Sequence, residues 1–202
     1  YHQSLEIIEA LGDRKGKAAT LHEMANIYTL RGDLDQAMQL YHQSLEIIEA
    51  LGDRKGKAAT LHEMAYIYTL RGDLDQALQL YHQSLETDEA LGDRKGKAAT
   101  LHQMAYIYRV RGDLDQAMQL YHQSLEIIEA LGDRQGKAAT LHQMAYIYPL
   151  RGDLDQAMQL YHQSLEIKEA LGDRKGKAAT LAMMGQVLAA QGQHEAALRA
   201  YL

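Results

Sequence analysis

The forty residues from Asp13 to Gly52, DRKGKAATLHEMANIYTLRGDLDQAMQLYHQSLEIIEALG, return almost letter for letter from Asp53, Asp93 and Asp133, and in altered form from Asp173. A fixed period of this length marks a chain folded as a stack of like units, each burying its apolar face against the next. The repeat therefore governs how length is read. A chain of 202 residues would otherwise suggest one or two globular domains; here residues 1–202 are expected to form one elongated domain of about five repeats, truncated within a second helix at each end.

Within the unit, Leu21, Met24, Ala25 and Tyr28 fall at i, i+3, i+4 and i+7. So do Leu34, Ala37, Met38 and Tyr41, a stripe continued by Ser44, Leu45 and Ile48. Asp33 stands where an N-cap belongs, with Gln36 as its capping-box partner, and Gly32 and Gly52 stand where a chain leaving a helix needs a left-handed residue. The spacing predicts helix A over Arg14–Leu30 and helix B over Leu34–Leu51, joined by a turn that permits only an antiparallel hairpin.

The pattern Leu21-x2-Met24-Ala25-x2-Tyr28 followed by Ala37-x3-Tyr41 resembles the tetratricopeptide repeat. Ala25 takes the place of the family's small glycine, and the proline that normally closes helix B is missing, so helix B runs on to Leu51. The forty-residue form, with a Gly-Asp-Arg turn between repeats, is similar to repeats of kinesin light chains, spindle-orientation adaptors and bacterial regulatory proteins. The resemblance implies an all-α, right-handed superhelical solenoid of antiparallel helix hairpins. It implies a shape shared by many binding proteins and no particular chemistry.

A net charge of −6 and a pI near 5.9 argue against nucleic acid, whose binding is dominated by cationic charge. Arg14, Lys15 and Lys17 open helix A while Glu46 and Glu49 close helix B, which opposes both helix dipoles. Antiparallel packing brings these ends to one edge, where Glu46 and Glu49 are expected to pair with Arg54 and Lys57. There is no cysteine, which removes disulfides and thiolate metal sites and is compatible with a cytoplasmic location. No apolar run reaches membrane-spanning length, and no membrane partner is expected. The sequence opens at Tyr1 within a helix B, which suggests a fragment of a longer protein.

Two look-alike motifs fail on spacing. Gly12-Asp-Arg-Lys-Gly16-Lys17 has three residues between its glycines and then Ala18, where a phosphate loop needs four and a hydroxyl after the lysine. His22-Glu23-Met24-Ala25-Asn26 lacks the second histidine of the zinc-protease helix. The repeated His22, His62, His102 and His142 lie too far apart to close a metal coordination sphere, so they are expected as solvated groove residues, with no metal, cofactor or catalytic role. Asp33 and Asp35 are accounted for by capping, and the Tyr28 and Tyr41 series by core packing.

The informative positions are those that change between copies. Along helix A they are Glu23, Glu63, Gln103, Gln143 and Met183; Asn26, Tyr66, Tyr106, Tyr146 and Gln186; and Thr29, Thr69, Arg109, Pro149 and Ala189. They share a stripe distinct from the Leu21–Met24–Tyr28 face. The resemblance implies that this stripe lines a concave groove that takes an extended peptide or a partner helix. Outward Gln39, Gln43 and Glu46 do not vary at all, which favours a tuned surface over drift. The groove set is His22, Glu23, Asn26, His62, Glu63, Tyr66, His102, Gln103, Tyr106, Arg109, His142, Gln143 and Tyr146. Tyr66, Tyr106 and Tyr146 are expected to form an aromatic ladder, with a bound peptide's basic part toward Glu23 and Glu63.

The sequence thus points to a non-enzymatic scaffold for a protein or peptide partner. A second reading is a structural spacer or self-assembling rod, associating end to end through Tyr1, Leu5 and Ile8 against Leu188, Leu198 and Tyr201. Three local expectations complete it. Pro149 should kink or shorten its helix. The copies of Ile7 and Ile8 include Thr87, Asp88 and Lys168, which suggests a partly exposed end of helix B and a soft third repeat.

Overall fold

The structure, a computed structural model, describes residues 7–8 and 10–201. The described residues form ten α-helices: α1 (Arg14–Leu30), α2 (Leu34–Leu51), α3 (Arg54–Arg71), α4 (Leu74–Leu91), α5 (Arg94–Val110), α6 (Leu114–Ala130), α7 (Arg134–Leu150), α8 (Leu154–Ala170), α9 (Arg174–Ala190) and α10 (His194–Tyr201). No strand occurs among them. The predicted bounds of helices A and B are those of α1 and α2. The chain divides into two compact units, Tyr1–Gln103 and Met104–Leu202.

Each hairpin closes on the stripes read from the sequence. In the first unit Leu21, Met24, Ala25, Ala37, Met38, Leu40, Tyr41, Met64 and Ile67 form one buried cluster, with Tyr28 and Tyr68 packed against it. In the second, Ala145, Ala157, Tyr161, Met184 and Val187 do the same. Ala25 and Ala37 are both fully shielded within this cluster. Tyr41 fills the adjoining space completely, and its truncation to Ala would cost about 3–5 kcal/mol as an uncollapsed cavity. Buried Ser44 donates its hydroxyl to the Ala18 carbonyl at 2.8 Å, and Ser84 and Ser164 repeat the bond to Ala58 and Ala138. A polar residue in the core is thereby satisfied in these three copies.

The turns follow from two devices. Gly32 and Gly52 sit at φ 80° and 67°, in the left-handed region that ends a helix without a Cβ penalty. Asp13 caps α1 by accepting from the Gly16 amide at 2.9 Å, a role that Asp53, Asp93, Asp133 and Asp173 repeat. A Cβ on Gly16 would lie 2.3 Å from the capping carboxylate, so the glycine of the phosphate-loop look-alike makes room for a cap. Asp73, Asp113 and Asp153 cap their helices through Gln76, Gln116 and Gln156 amides, whereas Asp33 makes no side-chain cap bond.

Four expectations are corrected. Pro149 does not shorten its helix: α7 has 17 residues, as α1 does. It lies in the last turn, where the local change is that the Arg151 amide bonds the Tyr148 carbonyl instead of the residue-147 carbonyl; the corresponding Arg31 amide keeps Ile27. The edge pairing is half right: Lys57–Glu49, Lys137–Glu129 and Lys177–Glu169 close at 2.6–2.7 Å, while Glu46 and Arg54 stay exposed. Helix B is not exposed at the Ile8 series: Ile48, Asp88, Ile128 and Lys168 are all buried. The helix-A histidines are half-buried, not solvated, for the reason given below. Of the residues expected at an end-to-end contact, Tyr1, Leu5 and the Tyr201 side chain lie outside the described residues. Leu198 is exposed.

Candidate functional site

The varying stripe is a half-buried band in each unit. In the first, Glu23 is exposed, and Asn26, Glu63, Tyr66 and Gln103 are half-buried. The Tyr41 hydroxyl donates to the Asn26 side-chain carbonyl, and the Asn26 amide reaches Glu23 at 3.4 Å. Burial pushes the Glu63 carboxyl above its ordinary range, and Glu23 nearby adds to the shift. This segment is acidic and already partly hydrogen-bonded within itself.

In the second unit the band is aromatic and cationic. The Arg109 guanidinium lies 4.9 Å from the Tyr106 ring centroid and 4.6 Å from that of Tyr146. A planar cation between two ring faces is held by their quadrupoles. Two of the three rings expected in the ladder, Tyr106 and Tyr146, therefore flank Arg109. Tyr106 is half-buried, and Tyr146 is 37% exposed.

Beside this stack is a cavity of about 170 Å³, whose lining includes, with four aliphatic residues, Tyr146, Pro149, Tyr161, Met183 and Gln186. Four of those five come from positions that change between copies. The fifth, Tyr161, is fully buried, and its hydroxyl has no hydrogen-bond partner among the described residues. In the first repeat the equivalent hydroxyl of Tyr41 is satisfied by Asn26; Tyr146 occupies that place here and offers no such carbonyl. Burial raises the Tyr161 phenol well above its usual range. Periodicity marks Tyr161 as core and Met183 and Gln186 as variable; the replacement of Asn26 by Tyr at position 146 is the sequence signal that the hydroxyl loses its acceptor.

The histidines serve packing. His62 Nδ1 is 3.0 Å from Thr100 Oγ1, His22 pairs with Thr60 at 3.2 Å, and His142 pairs with Thr180 at 3.1 Å. His62 and His142 also stand edge-on to Tyr81 and Tyr161, with centroids 5.1 and 5.3 Å apart. Desolvation holds His62, His102 and His142 down to about 4, so they are neutral near pH 7. Among the described residues no group of three or more potential ligands could hold a metal ion, and no helix is long and apolar enough to cross a membrane. Gln143 is half-buried beside His142 in sequence.

No curated protein matches the sequence. Among solved structures, BtubC (BKLC) from P. vanneervenii superposes with a TM-score of 0.84 at 21% identity, over 98% of this chain and 84% of that one. A putative kinesin light chain from Podosopora anserina, with nearly identical TPR-like repeats, gives 0.71 at 22% identity over 90% of each chain. A Rap protein complexed with competence and sporulation factor gives 0.81 at 16% identity, over 98% of this chain and 55% of that one. These identities speak for the fold alone. The tetratricopeptide repeat profile matches residues 1–50, 16–90, 56–130, 96–170 and 136–202. Matched by those overlapping segments along its whole length, in agreement with its hairpins, the chain belongs to the tetratricopeptide repeat family.

Proposed function

We propose that the chain is a protein-interaction scaffold that holds a peptide or partner helix on the varying stripe of helix A, without catalysis of its own. Tetratricopeptide repeats generally mediate protein–protein interaction and are typically non-enzymatic, which sets the class. The observation that carries the reading is the second unit's cavity. Residues that differ between otherwise near-identical repeats converge there around a buried hydroxyl that has no partner. A buried, unsatisfied phenol costs about 1–3 kcal/mol, which a ligand carbonyl would recover. The adjacent Tyr106–Arg109–Tyr146 stack offers rigid aromatic area at low entropy cost. The first unit's acidic Glu23 and Glu63 suit a basic segment, which would be bound within that unit. The Rap structure, a complex with competence and sporulation factor, supports ligand binding by a protein of this fold.

Selection of peptides from a displayed random library against the intact chain tests this. Enriched peptides should lose at least about tenfold in affinity for a Tyr66→Ala/Tyr106→Ala/Tyr146→Ala variant that remains folded. Peptides that bind this variant as well as the parent chain would refute the site.

A further inference from the structure

Positions 48, 88, 128 and 168 are one place on helix B, seen four times. The slot is interior in every copy: Ile48 is 6% exposed, Asp88 5%, Ile128 6% and Lys168 8%. Two isoleucines state what it ordinarily holds. The other two occupants are a carboxylate and an ammonium, each in its own unit, and the second shows what the slot accepts.

In the second unit Lys168 Nζ donates to Thr180 Oγ1 at 2.8 Å, inside the protein. Thr180 donates its hydroxyl to the Gly176 carbonyl at 2.9 Å, so its oxygen, which also meets His142 Nδ1 at 3.1 Å, acts toward Lys168 as an acceptor. An alkyl chain ending in an ammonium is thus a fitting occupant, its stem among apolar groups and its head on a buried hydroxyl.

In the first unit the same slot is different. Asp88 is shorter than Ile or Lys, and the space beside it is a cavity of about 420 Å³; the cavity beside Ile48 is about 220 Å³. Its walls include Ala58, Ala59 and Ala99, and its polar lining includes Glu63 and Thr100, the counterpart of Thr180. The Asp88 carboxylate lies against Gly96, where a Cβ would come within 2.7 Å of all its carboxyl atoms. It makes no hydrogen bond and no ion pair among the described residues. Two lysines also line the cavity: Lys55 is paired with Asp93 at 3.1 Å, on a side chain that is 78% exposed, and Lys95 is exposed. The floor of the cavity is therefore negative and unpartnered, and the positive charge is at its rim. A buried carboxylate left this way is costly.

We propose that the Asp88 cavity is a binding site for a primary alkylammonium group, seated between the Asp88 carboxylate and Thr100 Oγ1 as Lys168 is seated on Thr180. The alanine walls take the alkyl stem, and Glu63 offers a further acceptor. Burial pushes Asp88 up to about 6, Asp93 adding to the shift and Lys55 opposing it, so a bound cation would restore its ordinary ionisation. The ammonium can come from a free amine or from a lysine side chain of a partner. The site lies within the first unit and shares Glu63 with the stripe proposed above, whose cavity is in the second.

The test is titration of the intact chain at neutral pH with n-butylammonium, with n-butanol as the uncharged control. Saturable binding of the amine but not the alcohol is expected. It should weaken about tenfold or more in Asp88→Asn and vanish in Asp88→Ile. Isoleucine fills this slot in two other copies, so that variant should fold and its loss of binding reports on the site. No saturable binding by the parent chain, or equal binding by Asp88→Ile, overturns the proposal. A second arm compares a lysine-containing peptide with its norleucine counterpart. Tighter, Asp88-dependent binding of the lysine peptide than of n-butylammonium assigns the ammonium to a partner protein; the reverse assigns it to a small amine. Loss of peptide binding in the Tyr66/Tyr106/Tyr146 variant with amine binding intact would separate the fate of the two sites.

Discussion

His62 Nδ1 meets Thr100 Oγ1 at 3.0 Å, tying one helix A to the next across a distance of 38 residues in the chain. The ring is half-buried, and desolvation holds His62, His102 and His142 at about 4. In the unfolded chain the same rings titrate near 6.5. Between these values the unfolded state binds more protons than the native one, so stability rises with pH across the window and falls on acidification from pH 6.5 to 4. Urea unfolding at pH 7 and pH 5 should show a loss of several kcal/mol at the lower pH, about 1 kcal/mol or more per ring. A His62→Gln/His102→Gln/His142→Gln variant that retains the full pH dependence would show that other groups cause it.

Asp88 runs the other way. Its folded value near 6 exceeds the 3.8 of an ordinary aspartate, so its ionisation costs stability as pH rises through this range. Asp88→Ile removes the buried charge and fills the slot as Ile48 and Ile128 do. The substitution should stabilise the chain by about 1–3 kcal/mol at pH 7 and by less at pH 4, where the parent carboxyl is protonated. Equal gains at both pH values would mean that packing alone accounts for the effect.

The contrast between Ile48 and Asp88 shows how far the sequence could be read. Helix bounds, the buried Ala25, Ala37 and Tyr41, and the glycine turns all followed from periodicity, because each recurs with the same environment. The same periodicity misled at Asp88 and Lys168. A charged residue in an apolar series suggests exposure, yet helical register is fixed by the whole stripe, and one substitution cannot rotate the helix. The band itself was legible as positions 23, 26 and 29 and their copies. What filled it was not: Arg109 reaches the Tyr146 ring 37 residues on, and the hydroxyl of Tyr161 is orphaned because position 146, 15 residues before it, holds a tyrosine, relations between helices that no single-helix pattern encodes.

The orphaned hydroxyl gives a variant that separates stability from binding. Tyr161→Phe keeps the ring in its packed place and removes only an oxygen that has no partner. Stability should be unchanged or higher by up to about 1 kcal/mol. Affinity for any peptide whose carbonyl enters the adjoining cavity should fall by about tenfold. A drop in melting temperature, measured by calorimetry, would mean that a solvent molecule already satisfies the hydroxyl.

Pro149 provides the last prediction. In α1 and α3 the same position is threonine, and Thr29 and Thr69 each donate a hydroxyl to the carbonyl four residues back, Ala25 or Ala65, at 3.0 Å. Pro149 has neither this hydroxyl nor a backbone N–H, so the carbonyl of Ala145 loses two donors at once. The helix nonetheless keeps its full length, since the proline sits in the final turn, where only the end of the hydrogen-bond ladder is affected. Pro149→Thr should therefore be stabilising by about 1 kcal/mol, less than the full cost of an interior proline. Pro149 also lines the second unit's cavity, so the same change should alter which peptides are selected there. Thermal unfolding of the variant decides the first point: a lower melting temperature would show that the fixed φ of proline suits this turn better than the restored bonds do.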